Sequence, residues 1–434
     1  MCFFKDTMMF KFCQQIKPIS ISLSPNTEKD DILLAFKLLF QPWKWKKSKK
    51  GLVRVLEEEF KKYLKVNYAI SFNSGRSALL AILNSLGLKK GDEVLLQAFT
   101  CNALVNPILW SGLKPVFVDC DKEDFNLDVS DLKRKIGPKS KVVIVQHTFG
   151  LPAKMNEILK ICRDFNLILI EDCAHSLGAK YKGKLVGTMG DASFFSFSRD
   201  KVISSVYGGM AATNNEGLAK NIKQYQKKAG SPSLFWIFQQ LLHPVLMNWL
   251  ILPTYKILGK YLLVLFQILK ILSKAVHWKE KRGKKPPYFP KKMPEALALL
   301  ALNQFRKLER FNSHRKKIAN FYYQNLKDLS FKLPPRFPGR ESIYLRFSIV
   351  SSQAREIIKK AWKNNLLIGD WYDSPIAPHD TKLERMQYSL GSCPVAEKLS
   401  QTTFNLPTHI NISLPEAQKI IKFLRAQIKN SQNP

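Results

Sequence analysis

Between residues 51 and 230, short β-rich runs alternate with helical stretches, and no other feature of the chain limits its fold as strongly. The strand candidates are Ala69–Phe72, Glu93–Leu96, Val116–Asp119, Val142–Gln146, Leu167–Asp172 and Ala192–Phe197. Between them, Ser77–Leu86, Asn102–Trp110 and Lys154–Phe165 carry helical apolar spacing. Strand, helix, strand at this interval predicts an α/β fold whose mostly parallel sheet is flanked by helices. Ligands of such sheets bind beyond the carboxyl ends of the strands. The residues that follow each strand are therefore the ones to search for chemistry.

The rest of the chain divides around this block. Residues 1–50 read as an N-terminal extension with a helix over Asp30–Phe40, and 51–230 as the large domain. Residues 231–292 form an insertion, and 293–434 a smaller α+β domain. The last is expected to hold a long helix over Pro294–Leu326, a strand near Ile343–Val350 and a closing helix Leu414–Ile428. Seven cysteines lie scattered with no C-x-x-C spacing, which excludes a disulfide framework or a zinc ribbon and suits a reducing compartment. No metal site is expected. The start, MCFFKDTMMFKFC, is broken by Lys5, Asp6 and Lys11 and lacks a long apolar core before a cleavage site, so no targeting segment is expected there.

Four features stand at predicted strand ends. Asn73-Ser74-Gly75-Arg76-Ser77 follows a strand and opens a helix, where free N–H groups and the helix dipole favour a phosphate. Asp172 ends a strongly apolar strand, and a carboxylate buried there wants a cationic partner. Another strand delivers Ser196 and, five residues on, Lys201. Gly208-Gly209 marks a place where the chain passes something closely. Each feature alone has an ordinary structural reading: a plain turn, a helix cap, a solvated lysine. Together they supply a phosphate site, an acid for a ring nitrogen and an amine for an aldehyde, which is the set that pyridoxal phosphate needs.

At these residues the sequence resembles the DegT/StrS-type sugar aminotransferases, which are fold-type I pyridoxal phosphate enzymes. The resemblance rests on ordered strings, among them NSGRSAL, VQHTFGLPAKM, IEDCAHSLGAKYKGKLVGTMGDASFFSFSRDK, LALNQFRKLERFNSHRKKIANFY and NLPTH. It implies a seven-stranded-type sheet and a homodimer. It also implies the following roles: Lys201 as the lysine that carries the cofactor, Asp172 as the partner of the pyridine nitrogen, His175 as a neighbour of the cofactor, and Ser196 on the phosphate. Gly75, Arg76 and Ser77 match the phosphate-binding turn. Where the family has an aromatic stacking on the ring, Cys101 stands here, with Phe99 or His147 as substitutes to consider. Tyr207 replaces a common Glu. Pro290-Lys291-Lys292 aligns with a segment that in the family reaches the neighbouring subunit's site. Arg199, Lys292 and Arg346 are the candidates for substrate phosphate or carboxylate groups.

The implied activity is transfer of an amino group from an amino acid, glutamate by resemblance, to a keto sugar on a nucleoside diphosphate, for cell-surface polysaccharide synthesis. Two alternatives stay open: a dehydratase or eliminase on the same fold, and a non-catalytic scaffold or regulator at the membrane. In the related sugar dehydratases a His replaces the cofactor lysine, so Lys201 weighs against the former.

The insertion and the charge point elsewhere. The net charge is +35, from 69 Lys and Arg against 34 Asp and Glu, which attracts anionic partners. From Ser231 to Ala275 there are four lysines and no acid, and 14 of the 20 residues of Leu234–Pro253 are apolar. Their interruption by polar residues and Pro244 argues against a simple spanning helix. The expectation is instead a helical hairpin, about 234–251 and 254–275, lying in the interface of an anionic membrane, aided by the Trp- and Lys-rich run 43–50. The competing reading packs the hairpin within the protein or across a dimer. Nucleic acid is the weaker account of the charge, since no DNA- or RNA-binding motif accompanies it. The expected location is the cytoplasm, peripherally on the cytoplasmic face of the membrane.

Overall fold

The computed structural model describes residues 17–46 and 51–432, so Lys47, Lys49 and Lys50 of the basic run lie outside the described residues. The elements that position the site, in chain order, are α1 (Lys29–Leu39), α2 (Leu52–Leu64), β1 (Tyr68–Phe72), α3 (Gly75–Leu83), β2 (Glu93–Gln97), α4 (Asn102–Trp110) and β3 (Lys114–Val118). They continue as β4 (Ser140–Gln146), α5 (Met155–Asp164), β5 (Ile168–Asp172), β6 (Ala192–Ser196), β7 (Gly209–Thr213), α6 (Glu216–Ala229), α7 (Leu234–Leu246) and α8 (Lys260–Ile268). The last group is α9 (Glu295–Phe305), α10 (Leu308–Leu326), β8 (Arg346–Val350), β9 (Thr403–Pro407) and α11 (Leu414–Gln432).

Seven strands form one sheet in the order β1-β7-β6-β5-β4-β2-β3. Only β7 runs antiparallel to its neighbours; the other adjacent pairs are parallel. All six strands expected from the sequence are present. The seventh, Gly-Met-Ala-Ala-Thr, has little β-propensity, and only its pairing with β1 and β6 makes it a strand. The central strands are apolar along their whole length because helices cover both faces. Val142, Val143, Ile144 and Val145 of β4 are all fully buried. The smaller domain packs α10 and α11 against the antiparallel β8–β9 pair through Tyr322, Phe347, Phe404 and Ile421.

Three expectations change. The long helix Pro294–Leu326 is two helices, broken at Arg306–Lys307. The Lys307 backbone leaves helical values there (φ −99°, ψ 1°), and its ammonium gathers Glu28, Asp30 and Asp31 at 2.7–3.2 Å. The N-terminal segment is not an appendage. Ile19–Ser20 pairs in parallel with Leu366–Leu367, and Asn26 reaches the loop that carries Lys201. Finally, the two arms of the inserted hairpin differ. Leu234–Ile251 is long and apolar enough by length and composition to cross a bilayer, yet 56% of it is buried inside the fold. Trp236, Ile237, Leu241 and Val245 of this arm join the main core, and α7 lies against α1. The second arm, α8, buries no residue. Gly259 makes the hairpin possible, because a Cβ there would stand 2.0 Å from the Ile251 carbonyl oxygen.

Candidate active site

The parallel strands β1, β4, β5 and β6 end at one edge of the sheet, and a cavity of about 400 Å³ opens there. That volume is in the range of small-molecule sites. Its walls come from every part of the chain: the β1–α3 turn, Cys101 before α4, the ends of β5 and β6, the loop after β6, the hairpin, and the strap 370–378 of the smaller domain.

The β1–α3 turn is set by its sequence. Ser74 is extended and caps α3, its Oγ accepting from the Ser77 amide at 3.1 Å. The Ala78 amide returns to the Ser74 carbonyl, which leaves the amides of Gly75 and Arg76 as the donors the helix does not use. Behind them runs Gly209, paired with Phe72 on one side and Ser196 on the other. A Cβ on Gly209 would meet the Gly75 nitrogen at 2.4 Å, so only glycine lets the helix start lie directly over the strand. Ser196 closes the same corner from β6.

Asp172 sits at the end of β5, 6% exposed. Among the described residues its carboxylate takes a single hydrogen bond, from the Ala174 amide at 2.9 Å. Burial pushes its pKa up to about 6, against the smaller opposing effects of the Ala174 amide, Lys201 and His147. The neighbouring Glu171 shows the opposite case. It is buried too, but it accepts from His147 Nε2 (3.1 Å) and from the amides of Gly187, Met189 and Gly190 (2.7–2.8 Å), and these bonds hold its pKa low. The fold thus fills one carboxylate and leaves the next one facing the cavity.

Lys201 Nζ donates to His175 Nε2 at 2.8 Å and lies 4.9 Å from the Trp371 ring centre. Burial, then the charges of Lys201 and Arg346, keep His175 well below its ordinary pKa, so it is neutral and accepts. Its ring is fixed between Phe149 (6.0 Å, 7° between planes) and Trp371 (5.8 Å, 22°). The loop behind Lys201 is pinned by Asn26, whose amide donates to the Lys201 and Val202 carbonyls. Arg315, fully buried among neutral acceptors, donates to Asn26 Oδ1 and Val202 O and has its pKa pulled down to about 9 by burial.

The structure brings Gly75, Arg76, Cys101, Asp172, His175, Ser196, Arg199 and Lys201 to one cavity. Ser77 turns away, its hydroxyl donating to Asn73 Oδ1 at 2.7 Å; Ser74 takes its place on the wall. Arg346 stands one layer back, stacked on Trp371 at 3.6 Å and paired with Asp200 at 3.3 Å. Lys292 is not on the cavity wall: it pairs with Phe72 at the end of β1, and its amide donates to Gly230 O. Neither substitute aromatic lines the cavity. Phe99 is buried with Phe125, Phe149 and Tyr372, and His147 is held by Glu171 and the Ala153 amide.

Sequence reasoning missed Trp371 and Tyr372, which sit in an irregular strap with no periodic signal, and His243, which the apolar run around it hid. It also left Arg76 and Tyr207 as unexplained departures, and the insertion explains both. Arg76 donates to the Ala275 carbonyl at 3.0 Å and pairs with the buried Glu280 at 3.1 Å. Tyr207 donates to the Lys274 carbonyl at 2.7 Å. Arg199 joins them through Ser273, which donates in turn to Gln240. These residues seat the segment 273–280 over one end of the cavity.

The residues present fit pyridoxal phosphate. The turn offers two unused amides, Arg76 Nη1 and Arg199 Nε are buried donors without partners among the described residues, and Asp172 is an acid without its cation. An anionic group and a protonated ring nitrogen would complete both ends.

The sequence profile of the DegT/DnrJ/EryC1/StrS aminotransferase family matches residues 36–237 and 266–425 and passes over the middle of the hairpin. A GDP-perosamine synthase of Escherichia coli O157:H7 is 41% identical over 174 residues, which cover 40% of this chain and 48% of that protein. The chain spans about half the length of such GDP-perosamine synthases. A UDP-N-acetyl-3-dehydro-alpha-D-glucosamine 3-aminotransferase of Acidithiobacillus ferrooxidans is 26% identical over 373 residues, 86% of this chain and 87% of that one. The structure of Helicobacter pylori PseC, an aminotransferase in pseudoaminic acid biosynthesis, superposes with a TM-score of 0.73 at 21% identity, covering 95% of this chain and 100% of PseC. That last likeness is one of fold.

Proposed function

Because the chain belongs to the DegT/DnrJ/EryC1/StrS aminotransferase family, we propose that it is a pyridoxal phosphate-dependent sugar aminotransferase. It takes the amino group from an amino acid, glutamate in this reading, and gives it to a keto sugar carried on a nucleoside diphosphate. The product serves cell-surface polysaccharide synthesis. The protein works as a homodimer in the cytoplasm, peripherally on the cytoplasmic face of a membrane. The observation that carries the reading is the pairing of Lys201 with a neutral His175, in one cavity with Asp172, which has no cationic partner among the described residues, and the unused amides of the β1–α3 turn.

When bound, pyridoxal phosphate supplies an electron-accepting ring that stabilises the negative charge left by proton removal beside the transferred nitrogen. The amides of Gly75 and Arg76, the Arg76 guanidinium and the Ser196 hydroxyl hold the phosphate. Asp172, ionised at neutral pH with its pKa of about 6, would hold a proton on the ring nitrogen. Lys201 Nζ would hold the cofactor covalently and would supply the base that moves a proton. His175, kept neutral by burial and the neighbouring charges, accepts from that amine at 2.8 Å and keeps it in place. Trp371 and Tyr372 roof the cavity against water. Arg199, with its Nε unfilled, is the residue placed for the diphosphate or carboxylate of an incoming substrate.

The test is a panel of keto-sugar nucleotides incubated with nitrogen-labelled glutamate. Label on a sugar supports the reading. A dehydrated sugar without label, or no product from protein that has taken up the cofactor, rejects it in favour of an eliminase or a scaffold.

A further inference from the structure

Apolar side chains exposed in ones and twos are ordinary, but an apolar helix with no fully buried residue is not. In α8, Lys-Tyr-Leu-Leu-Val-Leu-Phe-Gln-Ile, no residue is buried, and Tyr261, Val264 and Ile268 are each more than half exposed. The turn before it adds Ile257 and Leu258, both exposed. This surface runs on into a second one. Trp249, exposed at the end of the first arm, packs against Phe36 of α1 at 5.0 Å with the rings tilted by 54°, and Phe36 meets Phe40 at 5.1 Å. Leu33 and Trp43 extend the face beyond them, Trp43 68% exposed.

The charges on this face have one sign. Lys37, Lys44 and Lys46 are exposed on the α1 side, and Lys256, Lys260, Lys270 and Lys274 on the hairpin side. No acid occurs from Ser231 to Ala275. The nearest acids of α1, Asp30 and Asp31, are taken by Lys307. A second copy of the chain docking through this face would set the same lysines against each other, because a two-fold contact pairs a patch with itself. An anionic bilayer complements both components. Hydrocarbon takes the aliphatic side chains, the boundary takes Trp and Tyr, and lipid phosphates take the lysines.

We propose that the outer face of α1 and the exposed arm of the hairpin lie in the interface of an anionic lipid bilayer, and that the inner face of the same hairpin is a wall of the catalytic cavity. His243, Met247, Leu263 and Gln267 line that cavity from the inner side. One helix, roughly 10 Å thick, then separates the cavity from the lipid. This surface deepens the membrane location proposed above and rests on it, but it does not depend on which reaction the cavity runs.

Flotation of the cofactor-loaded full chain with vesicles tests it. The protein is expected to float with vesicles of phosphatidylcholine mixed with phosphatidylglycerol, far less with phosphatidylcholine alone, and less as salt is raised. Y261E/I268E is expected to lose flotation at least about tenfold with an unchanged circular dichroism spectrum and cofactor absorbance. K260Q/K270Q, which alters charge only, is expected to weaken the preference for phosphatidylglycerol. The proposal is overturned if the protein stays at the bottom with anionic vesicles, or if K260Q/K270Q retains the full preference. It is equally overturned if sedimentation shows a dimer that Y261E/I268E splits while no vesicle is bound.

Discussion

The sheet edge and the inserted hairpin meet in one cavity but are built on opposite rules. At the sheet edge, buried polar groups have partners chosen for them: Glu171 is met by one imidazole and three amides, and Arg315 by the oxygens of Asn26, Asn312 and Val202. Asp172, by contrast, takes a single hydrogen bond among the described residues, from the Ala174 amide, and faces the cavity. On the second arm of the hairpin, apolar side chains are left facing out. The partners proposed above would complete what each region leaves open: an ionised heterocycle with a phosphate at the edge, a lipid surface on the hairpin.

Substitutions can break or sharpen this contrast. The largest effect belongs to Lys201→Ala, expected to lower turnover at least about 10⁴-fold while flotation stays at the wild-type level. A parallel loss of flotation would show that the two regions are not separable. Arg76→Met comes next, because it leaves the buried Glu280 carboxylate unpaired and unfastens the hairpin from the cavity. A loss of about 3–5 kcal/mol in denaturant unfolding is expected, and none if the pair were solvated. Asp172→Asn should act in two directions. The carboxyl titrates near 3.8 in the unfolded chain and about 6 in the fold, so its contribution to stability is lost as pH rises through that window. Above it the cofactor-free Asn variant should be more stable than wild type by roughly 3 kcal/mol, yet should lose activity. Equal stability at all pH values would mean that the carboxylate is hydrated. The smallest effect is Lys270→Gln alone, expected to weaken anionic vesicle binding by about 1 kcal/mol with no change in turnover.

The sheet edge was legible in the sequence for a physical reason. Strands buried on both faces must be apolar, so Asp172 and Ser196 stand out at their ends, and helix starts need caps such as Ser74. β7 escaped because its residues have no preference of their own. Ser77 was misplaced onto the cavity wall because motif spacing places a residue within a turn but does not say which hydroxyl a neighbour takes, here that of Ser77, held by Asn73. The strap with Trp371 and Tyr372 is irregular and comes from a distant part of the chain, so no local pattern announces it. The hairpin was visible as apolar and basic, but its two arms look alike in composition. Only the structure separates the arm that joins the core from the arm that does not. It also shows that Arg76 and Tyr207, which looked like losses from the family pattern, are the residues that fasten the insertion down.

The central claim is that Lys201 carries pyridoxal phosphate covalently. Borohydride reduction of the cofactor-loaded protein, followed by proteolysis and mass spectrometry, tests this directly. The account predicts a reduced cofactor adduct on the peptide containing Lys201 and its disappearance in Lys201→Ala. An adduct on a different lysine, or none in wild-type protein saturated with cofactor, would contradict it.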